Sequence, residues 1–475
     1  MPKKKKELRF IEIYRSFSES EIREFREFIS ISLFNKGRNY NGILDKIQFK
    51  DDGTIELADS NISRTHWNRF SELFILAEKF LTIKNLEDNK FSGELLLLDE
   101  LNKRDIINLY QQKFKAISKS TSSKNPSLNK INELLMMYNT FLKSKSAVNN
   151  FQLKSDSFFN SFNLSYLKFV IGILDFLINC FYIETSNIPR PLSYRDEFYK
   201  FQDLDRYIIY AKKFLPEYYP LVSYYYYVYK SLLNPDDTYY YYVARKILVN
   251  DFKDSSKEFS SALITYLIEY NVFKINKSGQ TASKELFHFV NVKMKYKMLE
   301  DDLKQDYQNS GFISYTMNAL ALNKIKWAEI FVTKYGKYLP VQNRENGILL
   351  ARAYIEYYRK NFDECKKYID QICSYNPYSY VDSAKLNLRT CYELKKFEEC
   401  FILLRRLQEY IRTQKNVSGI YISTAKHFCS AYILLLRLNN NPTKENLTKL
   451  EFLLNKNNLD GKKWIERKIK EINIL

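Results

Sequence analysis

Apolar residues recur at three- and four-residue spacing along most of this chain, which is the period of an amphipathic helix. Short polar turns separate these segments, and the pattern predicts a nearly all-helical fold. Residues 47–57 differ, because apolar and polar side chains alternate there around Asp51-Asp52-Gly53. That stretch predicts either a small β-hairpin or a loop between helices.

A repeat occurs in the segment 325–412, where a bulky aromatic residue precedes an acidic one three times. The interval from Trp327 to Phe362 is 35 residues, and the interval from Phe362 to Phe397 is also 35. A recurring period of this length is typical of stacked helical hairpins, in which each unit has a helix A and a helix B. The sequence therefore predicts antiparallel hairpins stacked into a solenoid.

The clearest unit has a helix A at 349–358, followed by a polar turn. Helix B then begins at Phe362, where Asn361 is expected to cap it. Small and aliphatic residues follow at i, i+4 and i+7 in two successive B helices, which predicts a buried stripe. The stripe residues are Cys365, Ile369 and Ile372, then Cys400, Leu404 and Leu407.

This unit resembles the tetratricopeptide repeat, and the resemblance is best within 311–416. That family has a unit of about 34 residues, with an aromatic residue opening helix B, a small residue three positions later and a closing proline. Phe362, Cys365 and Pro377 stand in that register, whereas Ile330 takes the small position of the first unit. The resemblance implies a right-handed solenoid that binds proteins. The period also suits the pentatricopeptide repeat, a related family that binds RNA.

Three regions are predicted along the chain. They are an N-terminal helical domain at 1–157, tyrosine-rich helical hairpins at 158–310, and repeats with a basic terminal capping helix at 311–475. Linkers are expected at 118–130 and 184–194, where polar residues or prolines accumulate. The first helix ends near Leu33-Phe34-Asn35-Lys36-Gly37, and this opening resembles large bacterial helical proteins of unassigned function.

The composition suits helices but gives an ambiguous electrostatic signal. Glycine and proline are scarce, with 11 and 10 among 475 residues, as expected for long helices and short turns. The chain has 74 basic and 55 acidic residues, and its net charge of +19 favours an anionic partner such as nucleic acid or a membrane surface. An AT-rich genome would give the same lysine-rich composition without any such partner. The basic residues are also mixed with acidic ones rather than clustered.

Targeting and redox signals favour an intracellular protein. Six cysteines without a C-x-x-C pair indicate small core residues in a reducing compartment. No apolar run follows the lysines at 3–6, so a cytoplasmic location without a signal peptide is expected. The most apolar segment, 162–183, contains Lys168, Asp175 and Asn179. Those groups would face lipid in a membrane span, which favours a buried core helix and no membrane insertion.

Local motifs that carry chemistry are missing from the sequence. The glycines are too dispersed for a phosphate-binding loop, and neither H-E-x-x-H nor G-x-S-x-G occurs. The histidines, His66, His288 and His427, lie far apart along the chain. Cys365 and His427 could be imagined as a nucleophile and base, but Cys365 takes the small buried position of the repeat. No cofactor, metal or enzymatic activity is therefore expected.

The usual binding surface of a helical-repeat array is the concave side lined by its A helices. Here that surface is predicted to carry aromatic and basic side chains, namely Tyr354, Tyr358, Lys385, Arg389 and Tyr392. An acidic peptide would pair with the cations and pack on the rings, and single-stranded nucleic acid would stack its bases there. Alternatively, these residues coat a solvated face and fill gaps between helices.

The favoured hypothesis is a non-enzymatic protein–protein interaction scaffold that binds a peptide or protein segment in the groove. The alternative is a basic helical-repeat protein that binds single-stranded RNA or DNA, although a base-by-base code needs more than three units. An enzyme with a site assembled from distant residues is the third hypothesis. The sequence does not specify the partner, the pathway or the oligomeric state.

Overall fold

The computed structural model describes residues 9–45, 47–49, 55–57, 64–121, 127–148, 150–186, 202–252, 255–278, 283–307, 309–373, 377–414, 419–455 and 460–472. Helices dominate this part of the chain, so the prediction of a nearly all-helical fold is confirmed for it. The predicted linkers at 118–130 and 184–194 lie partly outside the described residues.

Helices and one hairpin make up the first part of the chain. Helices α1 to α10 are, in order, Arg9–Arg15, Glu19–Ser30, Ser32–Asn35, Asn41–Leu44, Arg64–Asp88, Lys90–Lys103, Ile107–Thr121, Leu128–Leu142, Lys145–Val148 and Phe151–Ser186. Between α4 and α5, strands β1 (Ile47–Phe49) and β2 (Ile55–Leu57) pair antiparallel, with Ile47 opposite Leu57. Of the two structures that the sequence allows at 47–57, the hairpin is the one formed.

The remaining helices lie between residues 204 and 471. Helices α11 to α25 are Leu204–Phe214, Tyr219–Leu233, Thr238–Asp251, Lys257–Ser278, Lys284–Lys295, Leu299–Lys304, Ser310–Ala321, Ile325–Tyr335, Val341–Tyr358, Phe362–Asp370, Pro377–Glu393, Phe397–Thr413, Gly419–Asn440, Lys444–Leu454 and Lys462–Glu471. The helix A predicted at 349–358 thus belongs to a longer helix, α19.

The chain divides into two compact units. The first comprises Met1–Ser122 with Asn132–Phe162, and the second comprises Ser123–Ile131 with Asn163–Leu475. The division falls inside α10, which continues without a break from one unit into the other. The three predicted regions, with boundaries after 157 and 310, stay a prediction.

An aromatic core holds the first unit together. Ser18 begins α2 with a capping box, since its hydroxyl accepts the Glu21 N–H at 3.3 Å and the Glu21 carboxylate accepts the Ser18 N–H at 2.8 Å. This start orients the apolar side of α2 inward. There the fully buried Phe25 ring lies 6.2 Å from the Phe10 ring and 5.4 Å from the Phe80 ring, centroid to centroid.

Three helix pairs of the second unit, α17–α18, α19–α20 and α21–α22, share one turn. Its middle residue is in the left-handed region in each pair: Asn323 (φ 59°), Lys360 (φ 65°) and Lys395 (φ 58°). The next N–H bonds to the carbonyl five residues back in all three, with N···O distances of 2.8 to 2.9 Å. This is the Schellman arrangement, which ends one helix and starts the next.

The shared turn corrects the repeat register. The first residue of helix B is Ile325 in the first pair, Phe362 in the second and Phe397 in the third, so the intervals are 37 and 35 residues. Trp327 therefore lies two positions past the residue equivalent to Phe362. The small position of the first pair belongs to the fully buried Ala328, whereas Ile330 is 62% exposed.

The stripe predicted for helix B is largely confirmed. Cys365, Ile369, Cys400, Leu404 and Leu407 are buried. The third residue of the first stripe, at position 372, lies beyond the end of α20 and is half-buried. The predicted cap at position 361 is wrong, because that side chain amide donates to a glutamate at position 356 instead of accepting a helix N–H.

Helix α10 has one buried face and one exposed face. Leu167 and Leu174 are almost completely buried, whereas Phe162 and Phe169 are 54% and 52% exposed. Among the described residues, its stretch Phe151–Tyr182 has the length and composition to cross a membrane, and its most apolar window of 18 residues has a mean hydropathy of 1.7. The expectation of a buried core helix therefore applies to one face only, and the absence of membrane insertion stays a prediction.

Candidate functional site

Helices α19 and α21 open successive hairpins and carry the five side chains that the sequence places in a binding groove. Tyr354, Lys385 and Tyr392 are buried, with exposed fractions of 8%, 6% and 7%. Arg389 is half-buried and Tyr358 is exposed. The C-terminal helix α25 and the turn before it lie over this surface, which differs from the open groove expected from sequence. We call the surface of α21 and α23 that α25 covers the docking face.

The turn before α25 places an acid against both basic residues of α21. The Asp460 carboxylate accepts hydrogen bonds from Lys385 Nζ at 2.7 Å and from Arg389 Nη2 at 2.9 Å. Lys385 Nζ also lies 2.9 Å from the Asp382 carboxylate and 5.2 Å from the centre of the Tyr421 ring. The chain thus supplies its own counter-charges here, which offset the desolvation of the two cations.

Burial and charge pairing act in opposite directions on these three groups. Desolvation by itself would raise the pKa of Asp460 and lower the pKa values of Lys385 and Arg389. The attraction between them is stronger in total, so the pKa of Asp460 lies well below its usual range and those of the two bases lie above theirs. All three groups are therefore charged at neutral pH.

The other end of the docking face is acidic. The Glu393 carboxylate, whose side chain is 10% exposed, accepts hydrogen bonds from Lys468 Nζ at 2.6 Å and from the Trp464 indole N–H at 2.8 Å. Arg467 adds a third contact, with its Nη2 atom 3.3 Å from the same carboxylate. Helix α21 therefore presents a basic end and an acidic end to α25.

An aromatic layer joins the two ends. The Trp464 ring stacks on Tyr432 of α23, with centroids 6.0 Å apart and planes 11° apart. It also meets the Tyr392 ring edge-on at 5.4 Å. Asp460, Trp464 and Lys468 follow one another at four-residue spacing, and all three contact the docking face. One side of the terminal segment therefore carries an acid, an indole and a base in sequence.

Gly461 is required for this geometry on two grounds. Its φ of +74° lies in the left-handed region, where a side chain is strained. A Cβ at this position would also come within 3.0 Å of Arg389 Nη2 and 3.3 Å of its Cζ atom. The glycine thus lets the backbone pass close to the guanidinium while Asp460 reaches it.

Sequence reasoning finds the terminal helix but misses its contacts. The polar pairings between α21 and the terminal segment join residues 71 to 75 positions apart, so no local spacing reveals them. Asp460, Glu393, Trp464 and Lys468 were therefore not among the predicted site residues. The one local hint is an Asp-Gly pair that directly precedes an amphipathic helix.

The conceivable catalytic cysteine is a packing residue. The Sγ atom of Cys365 lies 3.3 Å from the Thr390 hydroxyl, and burial raises the pKa of the thiol to about 11. Such a thiol stays protonated at neutral pH and is a poor nucleophile. Among the described residues, no group of three or more His, Cys, Asp or Glu side chains is placed to hold a metal ion.

A second aromatic feature, with one exposed and three half-buried rings, lies on α12 and α13. Four tyrosine rings follow one another with centroid distances of 5.3, 6.3 and 5.5 Å, in the order Tyr226, Tyr227, Tyr240 and Tyr239. Lys230 Nζ lies 5.2 Å from the centre of the first ring. We call these four residues the tyrosine ladder. Their neighbours Tyr224, Tyr225 and Tyr241 are buried, so the tyrosine runs of α12 and α13 face several directions.

No protein-family model matches the chain, and no curated protein or solved structure matches it either. The functional argument therefore rests on the docking face and the tyrosine ladder themselves.

Proposed function

We propose that the protein is a non-enzymatic interaction scaffold whose helix pairs stack into a right-handed, tetratricopeptide-like solenoid. The support for this arrangement is the turn shared by three pairs and the buried small residue at the same place in each helix B. In this proposal the scaffold works in the cytoplasm without a cofactor, and it binds a protein or peptide segment on its A helices.

One observation carries the proposal: the docking face holds an amphipathic helix. The basic end contacts Asp460 in the turn before α25, while the aromatic layer and the acidic end contact Trp464 and Lys468 on the helix itself. Helix-in-groove recognition uses the same combination of apolar anchors at helical spacing with charge pairs at the edges. Tryptophan, tyrosine and arginine are also the residues that most often dominate the energy of protein interfaces.

The test begins with recovery of a partner from the native cell, using the full-length chain as bait. Tyr358 is 38% exposed at the edge of the site, so Tyr358→Ala should weaken binding of the recovered partner about fivefold or more, equivalent to about 1 kcal/mol. Phe401→Ala is the matched control, because Phe401 is an aromatic residue of similar exposure, 51%, on α22. Unchanged affinity in the Tyr358→Ala variant would place the site elsewhere.

Charge reversal of Lys385 is a poorer test than the sequence would indicate. Its ammonium group is buried between Asp382 and Asp460, so a glutamate there would stand against two carboxylates. Such a variant is expected to lose stability and terminal-helix docking together, which hides any effect on a partner.

A second candidate function is binding of single-stranded RNA or DNA, and the tyrosine ladder favours it. Bases stack on aromatic rings without regard to sequence, and the Tyr239 ring is 60% exposed. Lys230 supplies a cation beside the first ring, although its Nζ atom also lies 3.4 Å from the Asp205 carboxylate. A labelled random oligonucleotide should then bind with an affinity that falls steeply with salt. The Tyr239→Ala, Tyr240→Ala double variant should lose about tenfold or more in affinity. Binding that is weak and insensitive to both changes argues against this function.

A further inference from the structure

The terminal segment touches most of the residues that the sequence predicts to bind a partner. Asp460 pairs with Lys385 and Arg389, and Trp464 packs against Tyr392. The chain therefore occupies its own candidate site.

We propose that α25 is an intramolecular ligand that closes the docking face, and that the physiological partner is a helix of the same chemistry that displaces it. This inference rests on the proposed scaffold function. The partner segment would present an acidic residue in the turn before its helix, then a tryptophan and a basic residue four positions apart on the helix, as Asp460, Trp464 and Lys468 do.

The polarity of the face decides this partner chemistry. A purely acidic peptide would pair with Lys385 and Arg389 but would place a negative charge against Glu393, whose side chain is 10% exposed. A purely basic peptide would pair with Glu393 but would place a positive charge against Lys385 and Arg389. Leaving a buried charge without its counter-charge is expensive, so only a helix with an acid at its start and a base two turns later satisfies both ends.

The covering helix is suited to exchange rather than to permanent closure. Helix α25 is only ten residues long, and an isolated helix of that length is marginal in water. Its advantage over a free helix is the tether, which gives an effective concentration in the millimolar range. A partner therefore has to bind the open face well to compete, and any weakening of α25 should raise its apparent affinity.

The probe for this proposal is a fluorescein-labelled synthetic peptide with the sequence of residues 459–472, titrated into the full-length chain. Wild type should bind it weakly, because the tethered copy competes. The full-length Trp464→Ala variant, whose own helix has lost its aromatic anchor, should bind the wild-type peptide at least about tenfold more tightly. Hydrogen exchange of the α25 amides in the wild-type chain should accelerate at saturating peptide.

A charge swap shows that the peptide occupies the docking face. Adding Glu393→Lys to the Trp464→Ala chain should abolish binding of the wild-type peptide, and a peptide carrying Lys468→Glu should restore it. The Phe401→Ala chain should behave as wild type. A circular-dichroism spectrum and melting curve for each chain show whether it is folded.

Three results would overturn the inference: equal affinity of wild type and a folded Trp464→Ala chain, no binding to that folded chain, or failure of the charge swap to restore binding. Failure of this inference can be distinguished from failure of the scaffold proposal. A recovered partner that binds wild type and Trp464→Ala equally, and still loses affinity in Tyr358→Ala, would remove the self-ligand and leave the scaffold function standing.

Discussion

At the scale of single residues, three hairpin turns contain a non-glycine residue in a backbone conformation that is strained for it and would be unstrained for glycine. Asn323, Lys360 and Lys395 occupy the left-handed region, which costs a residue with a Cβ about 1 kcal/mol or more. The backbone hydrogen bonds of the turn and the packing of both helices keep them there. Because these side chains are exposed, the strain can be removed without loss of a contact in the core.

Lys360→Gly and Lys395→Gly should therefore each raise the free energy of unfolding by about 0.5–1 kcal/mol. The measurement is the urea midpoint of the full-length variants. Lys367→Gly is the matched control, since Lys367 is exposed within α20 and glycine in a helix interior costs about 1 kcal/mol. Destabilisation by the turn variants as well would show that the turns are not left-handed.

An acid with a displaced pKa lies inside the second unit. Glu269 on α14 is half-buried, and desolvation raises its pKa to about 7 despite the attraction of Lys293, while Asp302 adds repulsion. Lys293 does not neutralise Glu269 directly, because its ammonium group is hydrogen-bonded to Thr265 and Asp302. The folded chain therefore holds a proton on Glu269 in a pH range where the unfolded chain does not.

The raised pKa of Glu269 sets the direction in which the stability of the fold changes with pH. The folded state binds the extra proton between about pH 4.5, the usual glutamate value, and about pH 7, so this group's contribution to stability falls as pH rises through that window. Glu269→Gln should raise the melting temperature relative to wild type at pH 8 and have a smaller effect at pH 5. Glu445→Gln, at an exposed site on α24, should show no comparable difference. An equal effect of Glu269→Gln at both pH values would contradict the raised pKa.

The residue scale also shows where sequence patterns mislead. Trp327 gave an equal 35-residue interval, yet the residue in the buried small position is Ala328. The pattern could not separate the two, because an aromatic residue near a helix start suits either register. The turn geometry decides it, since the backbone hydrogen bonds of the turn fix which residue begins helix B.

At the scale of elements, docking of α25 depends on the turn that precedes it. Gly461→Ala should loosen this helix, because alanine is strained at φ +74° and its Cβ would crowd Arg389. The expected result is faster hydrogen exchange in α25, with α1 to α5 of the first unit unchanged.

The matched control is another glycine. Gly172 lies within α10, and a Cβ there would meet nothing within 4 Å, so Gly172→Ala should stabilise the helix by about 0.5–1 kcal/mol. Wild-type exchange of α25 in the Gly461→Ala chain would show that Asp460 is not held by the geometry described here.

At the scale of the whole molecule, one continuous helix links the two units. The predicted regions separate after residue 157, whereas α10 passes through that point and through the division at Phe162 without interruption. A proline at this point would break a helix that is regular on both sides of it.

Asn163→Pro should therefore destabilise the chain by about 3 kcal/mol, because proline removes a helix hydrogen bond and clashes with the preceding turn. Phe151→Pro is the control, since the first helical position tolerates proline and Phe151 is 84% exposed. Thermal melts of both variants give the comparison, and equal tolerance of the two prolines would show that α10 is not a regular helix at residue 163.

The sequence by itself determined the helices and the interior side of many of them. Apolar spacing depends only on neighbours three or four positions away, so Cys400, Leu404 and Leu407 could be assigned to a buried stripe directly. Only the tertiary structure decided that Lys385 and Arg389 are covered and paired with a carboxylate. Their counter-charge comes from Asp460, more than seventy positions away, and no local pattern records which distant segment will cover a helix face.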